Sequence, residues 1–353
     1  MNIKAIPNSE IFNSVRAFMS PSFQDRIPQA NIDNMKEIGT ALTSAEFELE
    51  LNAWQKALFN KIGLQLFYER IIQNRLAKYI YGNMPFTDAI EYMATDIVKG
   101  ATMNYGQDGE SVDPFVKVSP QAKVEYHKVD EPIQYCTTIE RDRLRRAFYN
   151  EGGLARLLGM FVNMLNSSAN LDTWLLTKSI MAYYINDAKS GSLPLLGTQK
   201  VTSADVTDEA SAKTFLLSVK NTLSAMQFPN NAFNPQKIHK TLDNREITLF
   251  IRADILNSIG VNAMASAFNP EELNMNVKFE PMDDFGTDPN GKGTDDVLAV
   301  LAEDGWLLIT QQLNEMDSIW NPRGRYWNYF LTRQMSFGTV YFKDAVIFRK
   351  SWA

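Results

Sequence analysis

Apolar residues along the first half of the chain change their spacing three times. Up to about residue 45 they follow no period, because Pro7, Pro21 and Pro28 interrupt the chain and polar runs such as PNSE, SPSFQDR and QANIDN separate them. Such a segment cannot bury itself, and the expectation is an arm lying on something else, such as a neighbouring copy. From Thr43, with Glu46 three residues on, a capping-box signature opens a helix. Phe47, Leu51, Trp54, Leu58 and Ile62 share one face of it, and the pattern runs on to Gly82 and Pro85. Residues 99–138 then switch to period two. Val116 and Val118, then Ala122, Val124 and Tyr126, alternate with Lys117, Lys123, Glu125 and His127. That predicts strands with one wet face, read as a long hairpin projecting from the body. A lone hairpin is marginally stable, so it needs a partner surface.

Helical spacing returns after ERDRLRRAFYNEGG. Leu154, Leu157, Leu158, Phe161 and Leu165 form a stripe that Leu171, Trp174, Leu175 and Tyr184 continue to about Asn186. Unbroken, such a helix spans about 50 Å, although Asn166, Ser167, Ser168 and Asn170 offer a place to split it. Further on, ASAKTFLLSVKNTLSAM predicts a helix, REITLFIRADIL a buried strand turning helical near Asp254, and ELNMNVKFEPM another strand. The end of the chain, WNYFLTRQMSFGTVYFKDAVIFRK, reads as mostly strand. The order of elements predicts an α+β fold.

Composition narrows the chemistry. The 353 residues carry 35 Lys and Arg against 41 Asp and Glu, a formal charge of −6, which disfavours an open nucleic-acid surface but leaves room for a local basic patch. One cysteine, Cys136, excludes an internal disulfide and fits a reducing compartment. Two histidines, His127 and His239, are too few for a His-rich metal centre. No apolar run reaches membrane-spanning length and MNIKAIPNSE has no signal core, so the expectation is a soluble intracellular product without membrane, metal or cofactor.

Each candidate site in the sequence has a plainer structural reading. Gly286–Thr294, GTDPNGKGT, nearly matches a phosphate-cradling loop, but Gly293 stands where the metal-binding hydroxyl belongs. Asp283, Asp284, Asp288, Asp295 and Asp296 crowd the same loop and repel phosphate, and the register of an EF-hand is missing. No nucleophile sits beside a histidine in a recognisable motif, and both histidines read as surface or hairpin residues. WNPRGRYWNYF mixes Arg323 and Arg325 with aromatics in the manner of a single-strand platform, but a turn feeding a strand with core aromatics explains it better. RDRLRRAF holds four arginines in six residues, read as a helix face making salt bridges.

The order of these segments resembles the major capsid proteins of tailed phages, the Hong Kong 97-type fold, closest to those of small short-tailed phages (podoviruses). SFQDRIPQ and FELELNAWQKALFNKIGLQLF resemble that group's arm region, and DPFVKVSPQAKVEYHKVDEPIQYCTTI its extended-loop hairpin. EGGLARLLGMFVNMLNSSANLDTWLLTKSIM is similar to its spine helix. The resemblance implies an arm over 1–50, a helical joining segment over 51–98, the hairpin over 99–138 and a peripheral domain over 139–190. An axial domain over 191–305 and return strands over 306–353 complete it. It implies a non-enzymatic protein that assembles with itself, as hexamers and pentamers, into an icosahedral virion shell. That shell encloses double-stranded DNA without sequence-specific contact and assembles in the host bacterial cytoplasm. A portal is a further implied partner, and because the chain starts almost at the arm, the resemblance implies a separate scaffolding protein or none. Phe115, Val116, Val118 and Tyr126 are the expected inter-subunit contacts. Rival readings are an encapsulin-like bacterial compartment shell, a carboxylate-dependent hydrolase using the 283–296 loop, and a ring-forming connector or tail protein.

Overall fold

Strands near the C-terminus are apolar on both faces, which forces them into the middle of the molecule. In this computed structural model the described residues are 7–44, 47, 50–54, 57, 72–83, 89–98, 122–128, 130, 132–149, 153–190, 200–207, 209–259 and 277–350. The helices are α1 (Asn8–Arg16), α2 (Pro21–Arg26), α3 (Met35–Leu42), α4 (Arg141–Tyr149), α5 (Gly153–Ser190), α6 (Glu209–Met226) and α7 (Ala253–Ile259). The strands are β1 (Ile80–Asn83), β2 (Ala89–Thr95), β3 (Ala122–Lys128), β4 (Ile133–Glu140), β5 (Lys200–Ser203) and β6 (Ile247–Arg252). They continue with β7 (Lys278–Met282), β8 (Val297–Glu303), β9 (Leu307–Asn321), β10 (Tyr326–Thr339) and β11 (Ala345–Arg349).

The central sheet has the order β5-β11-β8-β6-β7, with β11–β5 and β6–β7 parallel and the inner pairs antiparallel. Every residue of β8 and β11 is buried. One face, with Leu249, Ile251, Leu301, Val346 and Phe348, packs on Phe215, Leu216, Val219 and Leu223 of α6. The other, with Phe250, Val300 and Ile347, packs on Met181, Tyr184 and Ile185 of α5 and on Trp306. Arg349 closes the end of β11: its guanidinium, 2% exposed, grips the Asp296 carboxylate through two bonds of 2.7 Å. Paired and bidentate, this is the form in which a charge tolerates burial.

The second sheet runs β1-β9-β10-β4, with β9 and β10 forming a long hairpin. Its turn is held by Asn321, whose side-chain oxygen accepts from the backbone N–H groups of Arg323 and Gly324. Trp327 and Tyr329 from the arginine–aromatic tract are buried, and Trp320 lies 4.1 Å from Trp327, so these rings are packing residues. The long helix α5 is continuous over 38 residues, about 57 Å, so the polar stretch at 166–170 does not split it. Asn166 and Asn170 instead face Arg333 of β10.

The N-terminal region differs from the expectation of an arm that cannot bury itself. Helices α1 to α3 bury Ile11, Phe12, Val15, Phe23, Met35, Ile38 and Leu42 in one cluster with Trp54, Phe148, Phe161 and Trp327 of the same chain. Phe12, Trp54 and Phe148 stack in series at 5.3 and 5.8 Å. Gly39 permits this approach, because a Cβ there would stand 2.6 Å from the Phe148 Cβ. The prolines that hid the pattern separate short amphipathic helices, and Pro21 opens α2 at a position where its missing N–H costs nothing.

Candidate assembly interface

Strands β2 and β3 form a separate two-stranded antiparallel sheet in register from Ala89 opposite Lys128 to Thr95 opposite Ala122. The partner of residues 122–128 is therefore 89–95, a segment whose own alternation the sequence reading left unassigned. The strand that follows, β4, belongs to the second sheet, pairing with β10 from Glu140 opposite Tyr326 to Ile133 opposite Arg333.

The polarity of the pair is inverted relative to the expected wet face. On β3 the charged positions turn toward the body. Lys123 donates its ammonium to the Gln236 carbonyl, and both oxygens of Glu125 accept from the Tyr341 backbone N–H at 3.1 and 3.2 Å. His127, expected as a surface residue, is only 9% exposed. Its Nε2 is 3.0 Å from Glu125, its ring meets Tyr92 edge-on, and it lies over Gly338, where a Cβ would come within 2.6 Å of Nδ1. Between these polar ties Ile90, Tyr92 and Ala94 pack on Ile238, Leu308, Val340 and Phe342.

Two further contacts pin the ends of the pair. At the end of β2, Asp96 accepts from the His239 backbone N–H and lies 3.0 Å from Nδ1 of its ring. These bonds, the His239 side chain first, bring the Asp96 carboxyl down to about 2. Beyond β3, the Lys128 carbonyl accepts from Ser336 and the Asp130 carboxylate from the Phe337 N–H.

The outward face exposes apolar side chains between Glu91 and Lys128. Met93 and Val124 stand opposite one another at 64% and 40% exposure, Tyr126 is 63% exposed, and Ile97 and Val98 follow, also exposed. The Tyr126 hydroxyl reaches the Glu91 carboxylate across the strands at 3.3 Å, and that negative charge raises the phenol above its ordinary range. Of the four expected contacts, Tyr126 is thus placed on this face, while Phe115, Val116 and Val118 lie outside the described residues. Met93, Ile97 and Val98 were missed. The signal for Met93 is the period-two run AIEYMAT at residues 89–95.

The other candidate sites are closed by their own side chains. In the 283–296 loop, Asp288 Oδ1 accepts from the Asn290 and Lys292 N–H groups and Oδ2 from Asn186, so the loop's donors are turned on its own carboxylate and not on a phosphate. Lys178 from α5 neutralises Asp283 and Asp284 at 3.0 and 2.6 Å. Among the described residues no group of three or more His, Cys, Asp or Glu could hold a metal ion, and no helix is long and apolar enough to cross a membrane.

A family profile described as Phi29-like phage major capsid protein matches residues 12–349. The chain belongs to this family. The major capsid protein of Bacillus phage B103 is 26% identical over 343 residues, covering 96% of this chain and 72% of its own length. That of Bacillus phage PZA is 25% identical over 324 residues, covering 91% and 68%. The capsid of Staphylococcus phage Andhra contains a chain of the same fold, with a TM-score of 0.61 at 11% identity, covering 82% of this chain and 87% of that one. The Phi29-like capsid protein is thus a structural component of a phage virion with a Hong Kong 97-type α+β fold, and it is not an enzyme. The encapsulin-like, hydrolase and connector readings find no support in these relatives. Assembly with copies of itself follows from the family.

Proposed function

We propose that the outward face of the β2–β3 sheet, continued by residues 99–121, lies over a neighbouring copy as the chains close into an icosahedral shell of hexamers and pentamers. One observation carries this reading: β3 holds Lys123, Glu125 and His127 against the body through specific contacts, while Met93, Val124 and Tyr126 stand exposed on the outer side of the sheet. A soluble monomer gains nothing from that polarity, whereas a heterologous contact repeated around a closed shell buries the same patch on every copy. In this reading Phe115, Val116 and Val118 extend the apolar patch, 139–190 with 306–353 form the peripheral domain, and 191–305 the axial domain. The shell encloses double-stranded DNA and is built in the host bacterial cytoplasm with a separate scaffolding protein and a portal.

The test is expression of the full chain with Met93 and Tyr126 both changed to Asp, alongside a second variant in which residues 99–121 are replaced by a tight turn. Both variants are expected to keep the wild-type thermal transition and to lose closed particles in negative-stain microscopy and light scattering. Normal particles from both would refute the assignment of this surface.

A further inference from the structure

Helix α4 carries the densest positive charge in the sequence, and its setting differs from the salt-bridged face first expected. Arg143, Arg145 and Arg146 are all exposed, and among the described residues none has a carboxylate within ion-pair distance. The opposite side of the helix, with Leu144, Ala147 and Phe148, is buried in the cluster around Trp54, so the backbone that presents these arginines is fixed. Two neighbouring elements add charge of the same sign. The β9–β10 turn abuts the start of α4, where the Arg141 N–H donates to the Arg325 carbonyl at 3.1 Å, and it brings exposed Arg323 and Arg325. Exposed Lys36 of α3 stands near the other end. There the Tyr149 hydroxyl bonds to Thr40 at 3.0 Å, and that bond, together with Arg145 and Lys36, lowers the phenol from its ordinary value. Glu140, Asp142 and Glu37 sit in the same stretches but leave the cations in excess.

Such a cluster is self-repelling, and in a chain of net charge −6 it is a local exception and not the background. Guanidinium groups on one rigid helix suit phosphate, which they bind in a planar, two-bonded fashion. We propose that the Arg143–Arg145–Arg146 face of α4, flanked by Lys36 and Arg325, is a sequence-independent contact for the phosphate backbone of duplex DNA. The choice of DNA as the polyanion rests on the shell reading above; the charge cluster itself does not.

The test is fluorescence anisotropy of the full, unassembled chain with a labelled random-sequence duplex, over a salt series. The R143A/R145A/R146A variant is compared with a charge-matched control, K237A/R245A/K292A, whose exposed cations lie elsewhere on the molecule. Three lost phosphate contacts lower the log–log salt slope by about 2.7, so between about 50 and 200 mM salt the wild-type chain loses roughly 40-fold more affinity than the α4 variant. The control is expected to keep the wild-type slope, and R143K/R145K/R146K to keep most of it. Equal losses in the α4 and control variants, no duplex binding by the wild type at the lowest salt, or displacement of the duplex by polyglutamate at equal charge concentration would each overturn the proposal. The last result would assign the surface to an acidic protein segment. Particle formation by the α4 variant is scored separately and is expected to be normal, so failure of the shell reading and failure of this one give different results.

Discussion

The central sheet and the β2–β3 sheet handle alternation in opposite ways. In β8 and β11 both sides of the strand are apolar and both are covered, by α6 on one face and α5 on the other. In β2 and β3 only one side is covered, and on β3 that side carries Lys123, Glu125 and His127, while Val124 and Tyr126 face outward. The first arrangement is complete within one chain. In the proposed reading the second is complete only where a neighbouring copy meets it. Stability and assembly are then encoded in different strands, and substitutions separate them.

The largest separation comes from matched charges. Val300→Asp in β8 buries a carboxylate without a partner at a fully buried site and is expected to cost more than about 4 kcal/mol, leaving little folded chain by circular dichroism. Val124→Asp, the same change on the exposed face, is expected within about 0.5 kcal/mol of wild type in urea denaturation while particle yield collapses. If Val124→Asp unfolds the chain, the two regions are not energetically distinct.

Arg349→Ala tests the ion pair at the end of β11 in the central sheet. It removes a buried guanidinium and leaves Asp296, partly buried, without its bidentate partner. The expected loss is about 3 kcal/mol by urea denaturation at neutral pH. Arg349→Met, which fills the space without the charge, is expected to recover part of it only in combination with Asp296→Asn.

A pH effect of intermediate size belongs to Asp344, at the start of β11. Its carboxyl, pushed up to about 6 by burial, accepts from Asn234 at 2.8 Å, with Glu303, Lys240 and Lys343 around it. The folded chain holds a proton there that the unfolded chain releases near pH 4. This group's contribution is therefore full below about pH 4 and declines as pH rises through 6. Asp344→Asn keeps an acceptor for Asn234 and removes the titration. It is expected to raise stability by about 2–3 kcal/mol at pH 7.5 relative to wild type, and by little at pH 4, in paired urea titrations.

Much of this was legible in the chain because it rests on period and punctuation. The long helix, the strand-to-helix switch at Asp254 and the order of segments follow from local spacing, and they carried the family resemblance. The side of a strand that meets the body does not follow from spacing. Alternation in AKVEYHK marks two faces but leaves open which one wins, and here Gln236, the Tyr341 N–H and Gly338 decide it by offering specific partners to the charged face. The N-terminal helices were hidden for a related reason. Each is nine residues or fewer, too short to show a period, and their burial depends on Trp54, Phe148 and Trp327 from distant parts of the chain.

The smallest effect concerns how firmly the body holds the sheet that reaches outward. Asp96 is half-buried and accepts from both the ring and the backbone of His239, and its carboxyl stands at about 2. A depressed carboxyl contributes above about pH 4 and loses its contribution as pH falls toward 2, so the tie is intact throughout the neutral range. Asp96→Asn removes the charge and weakens both bonds at a half-buried site at the end of β2, outside the buried clusters. The expected outcome is an unchanged denaturation midpoint at pH 7 with faster amide exchange confined to residues 89–98 and 238–240. If particle yield falls while the midpoint holds, then the neighbour binds a sheet that must already be positioned. Unchanged yield would mean that Lys123, Glu125 and the cluster around Ile90 and Tyr92 hold it sufficiently without the Asp96 tie.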